Sequence, residues 1–530
     1  MVERHCRHAT RKPQDGPAWF SIDLTRRTPP GHYTTVECET VTDASSERPA
    51  PPSLRQGLPN KPTLGIRSAM NSQPMDHKSP SPTGPVILII SYAFFPENEI
   101  GARRTTALAT FLVARGYRVV VVSSFGNHNV QPGSQIMPGV FAVPIKRPSK
   151  VLINAIVTLK QKIVSRTRTK RGPAVGIEPE TTAATTVRSD ILKDAFFRLI
   201  CFVDEFKRWS WRASRAAADA ARQHSASLLI SSGPPHSALL AGVVAARKLR
   251  IPYVADLRDP WTDCVTANPH RRFDYWLQKP FEKWVIRNAA CVTSAGATVA
   301  ELLAKRYPDA SAKITSVPNG YDGNGQSVST HTGGKLSILF AGELYLGRNP
   351  FPVLDALERL LHRTDVDADL IRITFMGRVA QYAGRSLSEW LLGKRLSRIM
   401  TIFPHRPLDE VNRAVKAATV LLNLAQQQPY SVPAKTYEHL ISGREILLVC
   451  ENESETARVV KGIRGVNQVD PRYSEGLERA LFDLYRRHAI DGQMIVPSMD
   501  DVRKFSRCAA NEKFIKIIEN VLRLECKKPG

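Results

Sequence analysis

Paired cysteines, long apolar runs and the common phosphate-loop signatures are what this 530-residue chain lacks. Its eight cysteines are scattered from Cys6 to Cys526, with no CxxC pair and no histidine partners at metal spacing. Neither a disulfide framework nor a zinc site is indicated, and a reducing cytoplasm is the simplest home. No apolar stretch approaches the roughly 20 residues that span a bilayer. The longest are broken by charge or proline, so a soluble or peripheral protein is expected. Residues 1–84 are rich in Pro, Ser, Thr and Arg, lack helical or strand periodicity, and have no apolar core of the kind a secretory signal needs. They read as a disordered extension. Recognisable sequence begins just after Met70 and Met75, so an over-extended start site explains them more simply than a basic regulatory arm. No P-loop, nucleophile elbow or GxGxxG is present, and hydrolase and dehydrogenase readings lose their usual support.

Acidic residues are also in deficit, 49 against 74 basic ones, for a formal charge of +25. Phosphate, a lipid surface or nucleic acid could meet that charge. Nucleic acid is not expected, because no stacked-aromatic or basic-helix motif accompanies it. With 42% apolar residues, the chain can bury a large core and should form more than one domain.

Apolar runs alternate with helical patterns along the rest of the chain. Val86–Ser91 reads as a buried parallel strand, followed by a loop holding Gly101, a helix through Arg115 and a strand from Val119 to Ser123. Strands are expected at 228–232, 253–256, 291–294 and 314–317, with a helix over 237–249. The turn PNGYD, Pro318–Asp322, ends this domain, 85–322. Gly323–Gly334, rich in Gly, Ser and Thr, serves as the linker. A second α/β domain, 335–498, is expected to hold strands at 338–341, 371–376, 400–403, 420–424 and 446–449, followed by a helical segment within 499–530.

Six stretches carry a family likeness: PVILIISYAFFPENEIGARRTTALATFLVARGYRVVVVSS, LLISSGPPHSALLAG, IPYVADLRDPWTD, ITSVPNGYD, ILFAGELYLGRNPFPVLDAL and PAKTYEHLISGREILLVC. In this order and spacing they resemble the family-4-like glycosyltransferases, from about residue 86 to the C-terminus. The resemblance implies an α/β protein of two Rossmann-like domains facing a cleft, the GT-B fold, with the last helix crossing back to the first domain. It implies transfer of a sugar from a nucleotide-sugar donor to a glycan or lipid-linked acceptor, retaining and metal-independent, with no cofactor. By family habit, the product is a bacterial surface polysaccharide or related glycoconjugate. The alternative is a catalytically silent GT-B protein that binds a glycan or a partner.

A diphosphate leaving group gains charge as the glycosidic bond breaks, so the site needs fixed cations, helix N-termini and backbone N–H groups. By resemblance, Arg348 in GELYLGRNP and Lys435 at the start of PAKTYEHL supply the cations, and Gly101 in NEIGARR stands for the glycine loop. Each has a plainer alternative: a solvated arginine, a helix lysine, and a turn glycine followed by two surface arginines, Arg103 and Arg104. Glu438 falls where the family accepts donor ribose hydroxyls, a task suited to an acceptor-only carboxylate. Its alternative is a helix-surface glutamate. His236, after a strand in SSGPPHS, is implied to touch the donor sugar or phosphate. Asp256, Arg258 and Asp259 follow the next strand. Asp259 either orients the acceptor hydroxyl or caps the turn before Pro260.

Two positions depart from the family pattern: Glu343 stands where many members have arginine, and Tyr430 where many have glutamate. A carboxylate beside a diphosphate would repel it, unless it points away and leaves Arg348 with more of the charge. The string DVDAD, Asp365–Asp369, offers DxD spacing but lies between a helix and a strand, and reads as a solvated loop. Lys146–Arg171 is rich in Lys and Arg with no acid, and carries apolar residues at near-helical spacing. It is either a contact with an anionic membrane on the inner face of the cell membrane or a mobile basic loop.

Overall fold

Strand β1 (Val86–Ser91, VILIIS) is apolar at its first five positions, as a strand covered on both faces must be. Its residues alternate between two cores: Val86, Leu88 and Ile90 face one, and Ile87 and Ile89 the other. The computed structural model describes residues 84–97, 100–126, 128–147, 204, 206–263, 272–323, 333–345 and 347–526. Residues 1–83, most of Lys146–Arg171 and most of the Gly323–Gly334 linker lie outside the described residues.

The first sheet is built from β1, α1 (Ile100–Ala114), β2 (Arg118–Ser123), β3 (Gln135–Met137), β4 (Val140–Pro144), α2 (Lys207–His224), β5 (Ala226–Gly233) and α3 (Ser237–Leu249). It continues through β6 (Tyr253–Leu257), α4 (Arg272–Asn288), β7 (Cys291–Ser294), α5 (Ala297–Arg306) and β8 (Ile314–Ser316). Its strand order is β3-β4-β2-β1-β5-β6-β7-β8, parallel throughout except for β3. The order reverses direction at β1, so the loops after β1 and β5 open a crevice at the carboxyl edge, where such sheets bind ligands.

The second sheet takes β9 (Leu336–Glu343), α6 (Phe351–Leu360), β10 (Ile371–Arg378), the short antiparallel pair β11 (Gln381–Tyr382) and β12 (Arg385–Ser386), and β13 (Met400–Phe403). It is completed by α7 (Leu408–Ala417), β14 (Val420–Leu424), α8 (Ala434–Leu440), β15 (Glu445–Val449), α9 (Glu455–Val460), β16 (Val466–Val469) and α10 (Ser474–Tyr485). The six main strands run β13-β10-β9-β14-β15-β16, all parallel.

A last helix, α11 (Arg507–Cys526), returns to the first sheet. Phe514, Ile515, Ile518 and Val521 fill the same core as Ile87, Ile89, Leu108 and Leu112. At the crossover, Tyr321 bridges Ser506, and Arg507 donates to Asp322 at 2.7 Å and to the Gly320 carbonyl at 2.8 Å. No helix among the described residues is long and apolar enough to cross a membrane.

Candidate active site

The predicted site residues lie on loops and helix starts at the carboxyl edges of both sheets; Gly101, expected in a loop, falls in the first turn of α1, and Lys435 and Glu438 lie in α8. In the first half, β6 delivers Asp256, Arg258 and Asp259 in succession, and their fates differ. Asp256 is 2% exposed and accepts Arg104 Nε at 3.0 Å, Arg104 Nη2 at 2.9 Å, Ser232 Oγ at 2.8 Å and Thr293 Oγ1 at 2.7 Å. Burial works to raise its carboxyl, but Arg104 and the hydroxyl donors more than offset this and hold it below the ordinary range. Asp256 is thus a buried hub beneath the cleft. Arg104, expected on the helix surface, is 8% exposed. Its remaining nitrogen reaches the Pro318 carbonyl at 3.1 Å and Asn319 Oδ1 at 3.2 Å. A guanidinium with its donors in a fork can serve all these acceptors at once, which explains why α1 turns this arginine inward.

Arg258 lies between the first turn of α1 and the end of β5. It donates to the carbonyls of Gly233 at 3.2 Å, Gly101 at 2.6 Å and Pro234. A Cβ on Gly101 would stand 3.3 Å from this guanidinium, so the missing side chain makes room for Arg258. His236 stands at the N-cap position of α3 without a capping bond, its ring stacked on Trp261 at 5.1 Å and 7°, and Nε2 is 3.4 Å from the Asp259 carbonyl. Burial pushes its imidazole down to about 4, so the ring is neutral near pH 7. The Asp259 carboxylate is solvent-accessible and accepts no hydrogen bond from the described residues, so it does not cap the turn before Pro260. The protein atoms crowded around it withdraw enough solvation to raise it above the ordinary carboxyl value despite Arg258 and Arg104.

In the second half, Arg348 and Lys435 line one small cavity with Asn423 and His439. Arg348 lies over the Tyr345 ring at 4.5 Å, and its loop is clasped to the end of β14 by a bond from Gln426 Nε2 to the Asn349 carbonyl at 2.8 Å. Lys435 donates to the Ala341 carbonyl, and a Cβ on Gly342 would stand 2.6 Å from its Nζ. A side chain at Gly342 would displace the lysine tip from this position against β9. Burial first, then the Arg348 charge, lowers Lys435 to about 8, against the pull of Glu438 and Glu343. Glu438 is half exposed at the cleft surface, 3.6 Å from Arg103 of the first half. At that exposure the pair contributes little to stability and leaves the carboxylate available.

The lysine shift has a measurable consequence. Between pH 8 and the ordinary value of 10.5, the unfolded chain keeps a proton that folded Lys435 has released, so this group makes stability rise with pH. Affinity for a diphosphate should move the other way, falling as pH passes about 8, because the cation is lost. Titration calorimetry with a nucleoside diphosphate should show that fall, and Lys435→Met should flatten it. An equal fall in the variant would exclude Lys435 as its source.

The two departures from the family pattern have plain structural partners. Glu343 turns its carboxylate to Arg378 at 2.9 Å, while its carbonyl lies 3.5 Å from Arg348 Nη1. Tyr430 packs against the first core, and its carbonyl lies where a Cβ on Gly296 would come within 3.0 Å. Asp365 of DVDAD is held by Arg363 at 2.8 Å, and Asp367 accepts the Asp369 N–H at 2.8 Å, as expected of a solvated loop.

Sequence reasoning missed several groups. Glu455, 2% exposed on α9, accepts the N–H groups of Ala297 at 2.7 Å and Thr298 at 3.0 Å, capping α5 of the other half. Arg458 adds a pair with Glu301 at 2.5 Å. His439, its Nδ1 buried without a partner, is pushed down to about 3 by burial and then by Lys435. The only local sign of His439 was its position one turn after Lys435, and Glu455 had none.

Residues 101–320 match the model of the glycosyl transferase 4-like domain. No curated protein matches the chain in a sequence comparison. Among solved structures it is similar to sucrose-phosphate synthase from Thermosynechococcus elongatus, with TM-score 0.53, 12% identity, and 83% of this chain and 100% of that one covered. A trehalose 6-phosphate synthase from Burkholderia multivorans gives 0.52, 12%, 84% and 99%. A glycosyltransferase from Rickettsia africae gives 0.51, 11%, 83% and 99%. At such identities the likeness is one of fold. With two parallel sheets, a cleft at their carboxyl edges and a returning last helix, the chain has the GT-B fold and carries a glycosyl transferase 4-like domain at residues 101–320.

Proposed function

We propose that the cleft transfers a sugar from a nucleotide-sugar donor to a hydroxyl of a glycan or lipid-linked acceptor. The observation that carries this is the convergence of Arg348, Lys435 and Glu438 at one sheet edge, with Lys435 close enough to feel the charge of the other two. The cations suit a diphosphate and the carboxylate suits ribose hydroxyls. Another GT-B neighbour, from Burkholderia vietnamiensis, is a trehalose-phosphate synthase described as UDP-forming, which accords with a nucleotide leaving group. Glu343 is engaged by Arg378, which supports the view that Arg348 faces the donor without an opposing charge beside it.

In this proposal Arg348 and Lys435 meet the leaving diphosphate, and no metal is needed for that task. Arg258 holds the first turn of α1 and the end of β5 against each other, so that the α1 N-terminus and His236 border the donor together. Neutral His236 donates or accepts a hydrogen bond at the sugar, and Asp259 orients the acceptor hydroxyl. Retention would follow if attack occurred on the face that the diphosphate leaves, with a phosphate oxygen taking the acceptor proton. The GT-B scaffold contributes chiefly position and charge.

The test is Glu438→Gln, assayed against a panel of nucleotide-sugars by calorimetry. Donor binding should weaken about 10-fold or more while the melting temperature stays near the parent's, because one charge-assisted pair is lost without leaving a cavity. Unchanged affinity across the panel would remove Glu438 from the donor site.

A further inference from the structure

We propose that helix α4 sets the position of Asp259 and His236 in the cleft, acting through Gln278 and Glu282, which hold the segment that leaves β6. This inference rests on the reading of those two cleft groups as facing the reactants. Asp259 is exposed, but Pro260, Trp261 and Thr262 after it are buried. Two successive residues of the segment are held by α4. Trp261 Nε1 donates to Gln278 Oε1 at 2.6 Å, and Thr262 donates to Glu282 Oε2 from its N–H at 3.1 Å and its hydroxyl at 3.0 Å. Residues four apart on a helix lie one above the other on the same face, so α4 presents both acceptors to the segment together.

Glu282 is wholly buried, and its carboxylate joins two elements. Oε2 takes the N–H of Thr262, Oε1 takes Arg306 Nη1 at 3.0 Å and the Tyr307 hydroxyl at 2.8 Å, and the Thr262 hydroxyl lies within 3.1 Å of both oxygens. Arg306, at the end of α5, also donates to Thr262 Oγ1 at 2.6 Å and to Asp263. A buried carboxylate is tolerated when its charge is paired and its lone pairs are filled. Thr262 supplies part of that filling, and a hydrogen bond has direction where an apolar contact has none. The segment is therefore fixed in place rather than merely covered.

At its other end the segment is fastened by Arg258 to the carbonyls of Gly101, Gly233 and Pro234. Asp259 is thus strung between two anchors, with Pro260 restricting the backbone between them. His236 depends on the same hold, because its ring lies on Trp261 and its Nε2 faces the Asp259 carbonyl. Among the described residues, Gln278 and Glu282 reach the two cleft groups through Trp261 and Thr262 rather than by direct contact, so both are positioning residues. Misplacing a reacting group by about 1 Å can cost on the order of 100-fold in rate, which gives a hold at this distance its kinetic weight.

The experiment compares the two sides of Glu282 in the full chain. Thr262→Val with Gln278→Leu unfastens the segment from α4 but leaves Glu282 bound to Arg306 and Tyr307; Tyr307→Phe removes a bond on the α5 side and leaves the segment fastened. With the donor found by the nucleotide-sugar panel, the double variant should lower kcat by about 10-fold to 100-fold. Its affinity for the nucleoside diphosphate alone should stay near the parent's, and Tyr307→Phe should keep kcat. Thr262→Ser with Gln278→Glu, which retains the hydroxyl and the acceptor, should recover most of the loss. Gln278→Leu alone, at a half-buried position, carries the same test with less risk to folding and should show part of it. Parent-like kcat in the double variant, or an equal fall in Tyr307→Phe, would overturn the proposal. A measurement without turnover separates it from the transfer reading. In histidine-labelled protein, with His236 assigned through His236→Gln, the ring protons should be shielded by the Trp261 indole and should titrate at about 4. In the double variant they should lose that shielding and titrate nearer the ordinary 6.5. A parent that turns over no donor would remove the transfer reading alone, whereas unchanged His236 signals in the double variant would overturn the positioning.

Discussion

Asp256→Ala should destabilise the protein by about 3 to 5 kcal/mol, the cost of stranding a buried cation. The guanidinium of Arg104 would lose both bonds to the carboxylate, and the hydroxyls of Ser232 and Thr293 would lose their acceptor. Urea unfolding measures the change directly. A loss below about 1 kcal/mol would mean that water enters and replaces the carboxylate. Replacing Arg104 and Asp256 together by apolar residues should recover much of the loss, because neither charge is then left alone. Acid provides a second check. A carboxyl held below its unfolded value of about 3.8 contributes stability that is present above that value and is lost as pH falls through the folded one. The Asp256→Ala variant should therefore show a shallower loss of stability in that range.

Arg348→Ala should lower kcat/KM by about 2 to 4 kcal/mol, roughly 30-fold to 1,000-fold, if this guanidinium meets the leaving diphosphate. Arg348 is held by Tyr345 beneath it and the clasped 344–350 loop around it, so its charge is positioned before substrate arrives. Steady-state kinetics with the donor found by the nucleotide-sugar panel would read the change. Near-normal turnover would pass the role to Lys435. Arg348→Lys separates charge from geometry: it keeps the cation and loses the planar stack, and should recover only part of the loss.

The strands were legible because both sheets are covered on two faces, and a strand such as Val86–Ser91 has no polar side to dilute its signal. Their ends shifted by a residue or two. One such shift matters, since β9 runs on to Glu343 and sets its carboxylate beside Arg378. The strands that went unread were β3, β4, the short pair β11 and β12, and β16. Val466–Val469, the edge of the second sheet, sets Asn467 and Gln468 side by side between its two valines, breaks the alternation of a strand and looks like loop. The site was legible where chemistry lies in local strings, as in PAKTYEHL. It was illegible where a residue is defined by a distant partner. Arg103 and Arg104 are neighbours in α1, yet one reaches Glu438 and the other Asp256, 152 positions away. Nothing local distinguishes the arginine that turns inward. Glu455, whose partners lie at Ala297 and Thr298, was hidden for the same reason.

The returning helix α11 sets an order on the birth of the molecule. Ile87 and Ile89 leave the ribosome before the second half, but Phe514, Ile515 and Ile518, which share their core, are made only after that half is complete. Until then that side of the first sheet is covered by α1 but lacks the cover that α11 supplies. Each of those late side chains is worth about 1.5 to 3 kcal/mol when buried, so the earliest-made half reaches full stability only after the second has been synthesised. A nascent chain halted before Arg507 would carry a finished-looking second half beside a first half with an open apolar flank, the kind of surface that chaperones hold and aggregates recruit.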